Sequence, residues 1–206
     1  MAPSPPLRDA NLPPGAVKLG LVVPATYQEA CKAAGDSCLL RGSSATGPIP
    51  SALRRPLHLP RLKPGRPCPA SHRHALKGSP IGGIALGSGP VRAVIDNEVT
   101  RKGRAVLGET DFRRWPQALK VIWVSRPSYQ GPLVIRGTRL DKRGPLDFGE
   151  APNRGPLIVP AGPSGNDYGR YRSWPNGAWM KHPGCYGWQV DGLTFSETII
   201  VEAVLP

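Results

Sequence analysis

The chain has 206 residues, of which 26 are proline, 25 are glycine and 39% are hydrophobic, and its formal net charge is +13. This composition suffices for a packed core and favours short strands separated by many turns, with some irregular chain. The charge attracts polyanions in general. The arginines are scattered singly or in pairs, which argues against a dedicated, specific nucleic-acid site.

Residues 1–66 are predicted to be a proline-rich, basic extension, with 9 Lys and Arg against 3 Asp and Glu. One short helix is predicted near residues 26–37, where Thr26 and Glu29 have the spacing of a capping box. After that segment a proline occurs every few residues, so neither a helix nor a central strand can persist. We expect this stretch to be extended and to lie on the surface.

Residues 67–206 are predicted to be an antiparallel β-sandwich. Short β-branched or aromatic runs occur from about residue 80 onward, each bounded by Gly, Pro, Asn or Asp. No amphipathic helix separates them, which argues against a parallel α/β fold. The runs are GPVRAVIDN, GRAVLGETD, LKVIWVSRP, GPLVIRGTRLD, GPLIVPAG, GCYGWQVDG and SETIIVEAVLP.

The run that begins at Cys185 has two predicted faces. Period-two alternation places Tyr186, Trp188 and Val190 on the core side. Cys185 and Asp191 belong to the opposite set, which also contains glycine and glutamine. This opposite face is therefore expected to meet a covering layer or solvent.

The four cysteines lie at positions 31, 38, 68 and 185, and three pairings are possible. No pair has the CxxC spacing, which argues against a zinc ribbon or a thioredoxin-type site. Cys31 and Cys38 are close enough to close a local loop, which leaves Cys68 and Cys185 as a long-range pair. Such a bond would fasten the extension to the sheet, and it indicates an oxidising compartment.

The first residues, MAPSPPLRDANLPPG, lack the basic and apolar regions of a signal peptide. The apolar run 16–23 is too short to span a bilayer, and no transmembrane segment is predicted. Either the native start lies upstream or the cysteines are reduced in the cytosol. We favour the first alternative and expect an extracytoplasmic, secreted or envelope location.

Three segments resemble a group of uncharacterised extracytoplasmic proteins of high-GC actinobacteria. They are PGCYGWQVDGLTFSETIIVEA, GSPIGGIALGSGPV and KVIWVSRPSYQGPLVIRGTRLD, and the similarity extends over about residues 40–203. It implies that the predicted all-β domain is an immunoglobulin-like sandwich. It implies no activity, because the group has none assigned.

A candidate ligand-binding cluster lies in the turn-rich stretch 163–179, of which residues 163–177 are expected to form an exposed loop. Aromatic rings at the end of a sandwich can stack on sugars, and arginines suit anionic groups. Alternatively, the two tryptophans cover the edge of the core and the tyrosines fill the loop. The cluster consists of Tyr168, Arg170, Tyr171, Arg172, Trp174 and Trp179.

The patterns for catalysis and metal binding are weak, and we predict no catalytic residues, metal or cofactor. Cys68, His72 and His74 are an incomplete ligand set once Cys68 is in a disulfide. Ser164 lacks the surroundings of a nucleophile elbow. Acidic pairs for glycoside hydrolysis are defined only by proximity in the sequence; the candidates are Asp141, Asp147, Glu150 and Asp167.

These patterns together predict a non-catalytic, secreted or cell-envelope β-sandwich with a binding or structural role. Its expected partner is an anionic cell-wall polymer or another envelope protein. The alternative is an enzyme that acts on envelope carbohydrate, which would present converging polar side chains in a concave pocket.

Overall fold

The structure is a computed structural model of the 206-residue chain. It describes residues 45–46, 48–63, 65–76, 84–95, 100–101, 104–110, 116–142, 144–149, 155–162 and 171–206. The predicted helix near 26–37 and the predicted Cys31–Cys38 bond lie outside these residues.

The described residues contain fourteen strands and one 3-10 turn, Ser51–Leu53. The strands are β1 Ala45–Thr46, β2 Arg73–His74, β3 Ile84–Leu86, β4 Val91–Ile95, β5 Thr100–Arg101, β6 Arg104–Val106, β7 Gly108–Glu109, β8 Gln117–Ser125, β9 Leu133–Arg139, β10 Asp147–Gly149, β11 Leu157–Val159, β12 Arg172–Met180, β13 Gly184–Gly192 and β14 Ser196–Val204. All seven runs predicted from the sequence contain a strand.

The strands form two seven-stranded sheets. Sheet A has the order β1-β11-β9-β13-β14-β6-β5, and sheet B has the order β10-β12-β8-β4-β3-β2, with β7 paired to β8. Every described pairing is antiparallel except the two-residue pairing of β14 with β6. The predicted fold class, an all-β sandwich, is confirmed.

One apolar core lies between the sheets and includes residues of both. Three tryptophans from different strands, Trp123, Trp174 and Trp188, are its largest buried side chains. Trp123 and Trp188 meet edge to face across the two sheets, with ring centroids 5.3 Å apart. Because aromatic rings bury the most apolar area per residue, these contacts contribute strongly to holding the sheets together.

The predicted alternation of β13 is confirmed. Tyr186, Trp188 and Val190 belong to the core between the sheets. Cys185 and Asp191 are on the other face of the strand and are also buried. This outer face is thus covered, and the covering layer is the proline-rich segment.

The proline-rich segment, residues 48–76 without Pro64, is called the arm. Its 3-10 turn, Ser51–Leu53, buries Leu53 on the outer face of sheet A against Val134 and Ile158. The following residues, up to β2, form neither helix nor strand, as the spacing of prolines predicts. The proposed domain boundary after residue 66 remains a prediction.

The arm continues from sheet A to the edge of sheet B. Cys68 of the arm forms a disulfide with Cys185 at the start of β13, 117 residues away. Ser71 donates its N–H to the carbonyl of Ile200 in β14 (2.9 Å) and accepts the N–H of Ile200 at its Oγ (2.9 Å). Strand β2 then pairs with β3. The arm is therefore fastened to both layers.

The expectation of an exposed loop over residues 163–177 is wrong for residues 172–177. They belong to β12, which pairs along its whole length with β8. The sequence SWPNG is typical of a turn. Pro175 has no N–H to donate, and it is accommodated in the strand because β10 pairs only with residues 177–179. Long-range pairing with β8 thus overrides the local turn signal.

One carboxylate links the two sheets at their end. The β3–β4 turn of sheet B directs the N–H groups of Ser88 (2.7 Å) and Gly89 (2.6 Å) at Oε1 of Glu197 in sheet A. A Cβ at position 89 would lie 1.8 Å from Oε2 of this carboxylate. Glycine is therefore required while Glu197 occupies this position.

We expect Gly89→Ala to displace the Glu197 carboxylate and lower the free energy of unfolding by about 1–3 kcal/mol, because two backbone donors lose their acceptor. Glu197→Ala should have a similar cost, and the double variant should be no less stable than either single variant. Urea denaturation measures all three, with Ser88→Ala as the control. Additive losses would contradict the shared mechanism.

Candidate functional site

The first half of the arm runs antiparallel to β13 across the outer face of sheet A. Arg55 contacts Gly192 at one end of the strand. Leu62 donates its N–H to the carbonyl of Leu140 (3.1 Å), and Leu140 donates to the carbonyl of Cys185 (2.8 Å) at the other end. Arg55 and Leu62 are seven residues apart in the arm, and Gly192 and Cys185 are seven residues apart in β13. Because equal numbers of residues cover this distance in the arm and in the strand, this part of the arm is extended.

A buried glutamine side chain holds the middle of the arm. Gln189 of β13 accepts the N–H of His58 at its Oε1 (2.6 Å) and donates from Nε2 to the carbonyl of Pro56 (2.9 Å). Both groups of one side-chain amide are therefore paired with the backbone of the arm. This satisfies polar atoms that burial would otherwise leave without partners.

An arginine holds the first end of the arm. The Arg55 guanidinium donates to the carbonyls of Gly192 (2.6 Å), Leu193 (2.8 Å) and Phe195 in the β13–β14 turn. It also lies 4.0 Å from the Asp191 carboxylate. Arg55 is thus used for attachment and is not free to bind a ligand.

Asp191 is fully buried beneath the arm, and its charge is compensated within the fold. Arg136 of β9 forms an ion pair with it at 2.6 Å. The Ser196 hydroxyl (2.7 Å) and the Gln189 amide (3.0 Å) also donate to it. A buried carboxylate with these partners avoids the large cost of an isolated buried charge.

The other two carboxylates near the arm are also paired with arginines of sheet A. The hydrogen bond from Arg139 lowers the pKa of Asp141 below its ordinary value. Asp141 also accepts the N–H of Cys185 (3.3 Å), next to the disulfide. The three pairs on this side are Asp191–Arg136, Asp141–Arg139 and Glu202–Arg104.

The arm itself contributes only positive charge. Residues 37–95 contain nine Lys or Arg and no Asp or Glu. Five of these cations are exposed on the arm and form no ion pair within the described part of the chain. They are Arg54, Arg61, Lys63, Arg66 and Arg73. The arm is therefore a basic strip, and the carboxylates of Asp191, Asp141 and Glu202 on this side of the sheet are already paired with arginines.

Most of the described residues of the sequence-predicted cluster are interior. Trp174 is 1% exposed and Trp179 7% exposed, and the Trp179 indole donates to the carbonyl of Gly149 (2.9 Å). Tyr171 is half-buried, just before β12. Tyr168 and Arg170 lie outside the described residues.

Arg172 of that cluster closes one end of the core. Its guanidinium donates to the carbonyls of Tyr129 (3.2 Å), Gly131 (3.1 Å) and Pro160 (2.8 Å). It also stacks over Trp174, 4.4 Å from the ring centroid. These contacts join two loops to β12. In the structure Arg172, Trp174 and Trp179 are therefore not available as a stacking surface.

The predicted Cys68–Cys185 bond is present. No group of three or more His, Cys, Asp or Glu that could hold a metal occurs among the residues that the structure describes. Of the acidic candidates, Asp147 is buried and accepts the N–H groups of Phe148 and Gly155.

The sequence contained a signal for the basic strip that the interpretation missed. The arginines lie singly or in pairs, so no local cluster marks the strip. The absence of acidic residues over 37–95 is the more informative pattern. The predicted Cys68–Cys185 bond attached this stretch to the sheet, but the sequence did not show that its first half runs along β13.

No family model, curated protein or solved structure matches this chain. Within the described ranges, no helix is both long enough and apolar enough to cross a bilayer.

We expect Gln189→Met to loosen the arm, because the thioether cannot replace the bonds to Pro56 and His58. The free energy of unfolding should fall by about 1–3 kcal/mol. Tryptic cleavage after Arg61, followed by mass spectrometry, should become faster. Thr198→Ala, at the exposed position opposite Gln189 on β14, is the control. Unchanged cleavage in Gln189→Met would contradict this attachment.

We expect the stability difference between wild type and Asp141→Asn to depend on pH. Because the pKa of Asp141 is lowered in the folded state, its contribution is complete above the pKa of the unfolded chain. It is lost as pH falls through the lower, folded value. Urea midpoints should therefore differ at pH 6 and converge as the solution is acidified below the ordinary pKa of an aspartate.

The control for the Asp141 experiment is Glu202→Gln, which removes an exposed ion pair and should change stability little at any pH. A constant difference between wild type and Asp141→Asn across this range would contradict the role of the ion pair.

Proposed function

We propose that the protein is a non-catalytic β-sandwich module of the cell envelope, secreted or surface-attached, whose arm binds an anionic wall polymer. The observation that carries this proposal is the row of exposed, unpaired cations on the arm: Arg54, Arg61, Lys63, Arg66 and Arg73. Arginines of sheet A neutralise the carboxylates of Asp191 and Asp141 near the arm, so these acids do not cancel the positive electrostatic potential of the arm.

The spacing of the cations favours a linear polymer over a small anion. Arg54 and Arg61 are separated by seven residues of mostly extended chain, which is roughly 20 Å or more. A small anion would contact one or two of these cations, whereas a linear polyanion would contact several at once. Guanidinium groups also bind phosphate oxygens with two parallel hydrogen bonds.

The disulfide supports the proposed envelope location. The Cys68–Cys185 bond fastens the arm to β13, and structural disulfides persist mainly outside the cytosol. An acidic envelope protein is the other expected partner, and failure of the chain to bind the polymer in the experiment below would favour it.

We expect the purified chain to bind poly(glycerol phosphate) and to bind neutral glucan weakly or not at all. Binding should weaken as salt rises. Arg61→Ala/Arg66→Ala should reduce the slope of log K against log salt by about 2, if the value of 1 per phosphate contact in nucleic acids applies. Fluorescence anisotropy at several salt concentrations measures this.

The matched control is Lys120→Ala/Arg126→Ala, which removes the same charge from one exposed position in β8 and one directly after it. Equal losses of affinity in the two variants would overturn the assignment of binding to the arm. Absence of polymer binding by the wild type would overturn the proposal that the ligand is an anionic polymer. Tighter binding to duplex DNA than to poly(glycerol phosphate) would also contradict the proposal. Melting temperatures verify that each variant is folded.

A further inference from the structure

The arm consists of two parts that are attached to the sandwich in different ways. Up to Leu62, the arm is held by hydrogen bonds from Arg55, His58 and Leu62 itself. From Ser71 onward, it is held by backbone bonds to β14 and β3. Between them lie Lys63 and residues 65–70, called the cross-linked loop.

The cross-linked loop is attached by its disulfide. Its described hydrogen bonds are internal, from Arg66 N–H to Lys63 (3.2 Å) and from Ala70 N–H to Cys68 (2.9 Å). None of its described residues has a hydrogen bond or ion pair to the sheets. The Cys68–Cys185 bond is therefore its one strong attachment between the two hydrogen-bonded parts of the arm.

Two of the five arm cations, Lys63 and Arg66, belong to this loop and are exposed. We propose that the Cys68–Cys185 bond is the element that positions Lys63 and Arg66 for the polymer, so that reduction of this one bond lowers affinity while the sandwich stays folded. This inference rests on the proposed function and adds its regulation.

Electrostatics gives the bond a second role. The loop carries two positive charges and is bonded to Cys185, whose N–H is bound by Asp141. Lys142 follows Asp141 in the chain and adds positive charge at this end of the sheet. The Asp141 carboxylate is already engaged by Arg139. Like charges repel the loop from this end of the sheet, and the covalent bond holds it there. Once released, the cations would separate and lose the fixed spacing that suits a linear ligand.

The reduction requires a dithiol reductant. A thiolate of the reductant attacks the sulfur of half-buried Cys68, because Cys185 is only 4% exposed. The S–S bond breaks, and Cys185 leaves as a thiolate that takes up a proton. The second thiol of the reductant then displaces Cys68. The products are two cysteine thiols and one cyclic disulfide, so the dithiol supplies both electrons.

The remaining attachments explain why the fold should survive. Gln189, Arg55 and Ser71 hold the arm without any sulfur atom. The core between the sheets contains no residue of the cross-linked loop. Reduction is therefore expected to release the loop selectively.

The test is a double-mutant cycle with labelled poly(glycerol phosphate) at low salt. Cys68→Ser/Cys185→Ser should bind about 5- to 100-fold more weakly, because ordering two freed side chains now costs binding free energy. Lys63→Ala/Arg66→Ala should weaken the oxidised protein strongly but have little further effect in the Cys68→Ser/Cys185→Ser background. Arg54→Ala, outside the loop, should cost the same factor in both backgrounds.

Wild-type affinity of Cys68→Ser/Cys185→Ser, or an equal effect of Lys63→Ala/Arg66→Ala in both backgrounds, would overturn this inference and leave the proposed function intact. Loss of all polymer binding by the oxidised wild type would instead overturn the proposed function. Because Cys31 and Cys38 are unchanged in the variant, the effect is assigned to this bond alone.

If Cys68→Ser/Cys185→Ser fails to fold, Pro67→Gly/Pro69→Gly tests the same idea with the disulfide intact. These substitutions loosen the chain on both sides of Cys68. We expect weaker binding in the same direction and unchanged circular dichroism. Undiminished affinity in this variant would overturn the inference.

Discussion

The two faces of β13 are the constraint on which the rest of the structure depends. One face carries Tyr186 and Trp188 into the core between the sheets. The other presents Cys185, Gln189 and Asp191, and each of these contacts the arm or its anchoring arginine. Because side chains alternate strictly along a strand, a shift by one residue would exchange the faces and destroy both the core and the arm site.

Charge compensation within sheet A explains how a basic arm can lie over acidic residues without being neutralised by them. Arg136 satisfies Asp191, and Arg139 satisfies Asp141. The carboxylates serve the packing of the sheet and the attachment of the arm. The exposed arm cations consequently remain available to an external anion. Their availability follows from the pairing of the carboxylates with arginines of the sheet more than from the net charge of the chain.

Local patterns were sufficient to predict the class of fold, seven runs that contain eight of the strands, and the inner face of β13. They failed at β12, where SWPNG is typical of a turn and the strand exists because β8 pairs with it from Gln117 to Ser125. The predicted Cys68–Cys185 bond correctly attached the arm to β13. The course of the arm along the strand was not predicted, because it is determined by contacts such as that between His58 and Gln189, 131 positions apart. Short-range periodicity contains no information about such partners.

The disulfide also determines how the molecule transmits tension. Cys68 and Cys185 are joined covalently, so a pull applied to the two ends of the chain passes from the arm directly into β13 and then β14. The 117 residues of separation are bypassed, which removes roughly 400 Å of extensible chain from the load path. Under force, strands β2 to β12 would therefore stay off the covalent load path, and the chain could lengthen only in the two segments outside the cross-link.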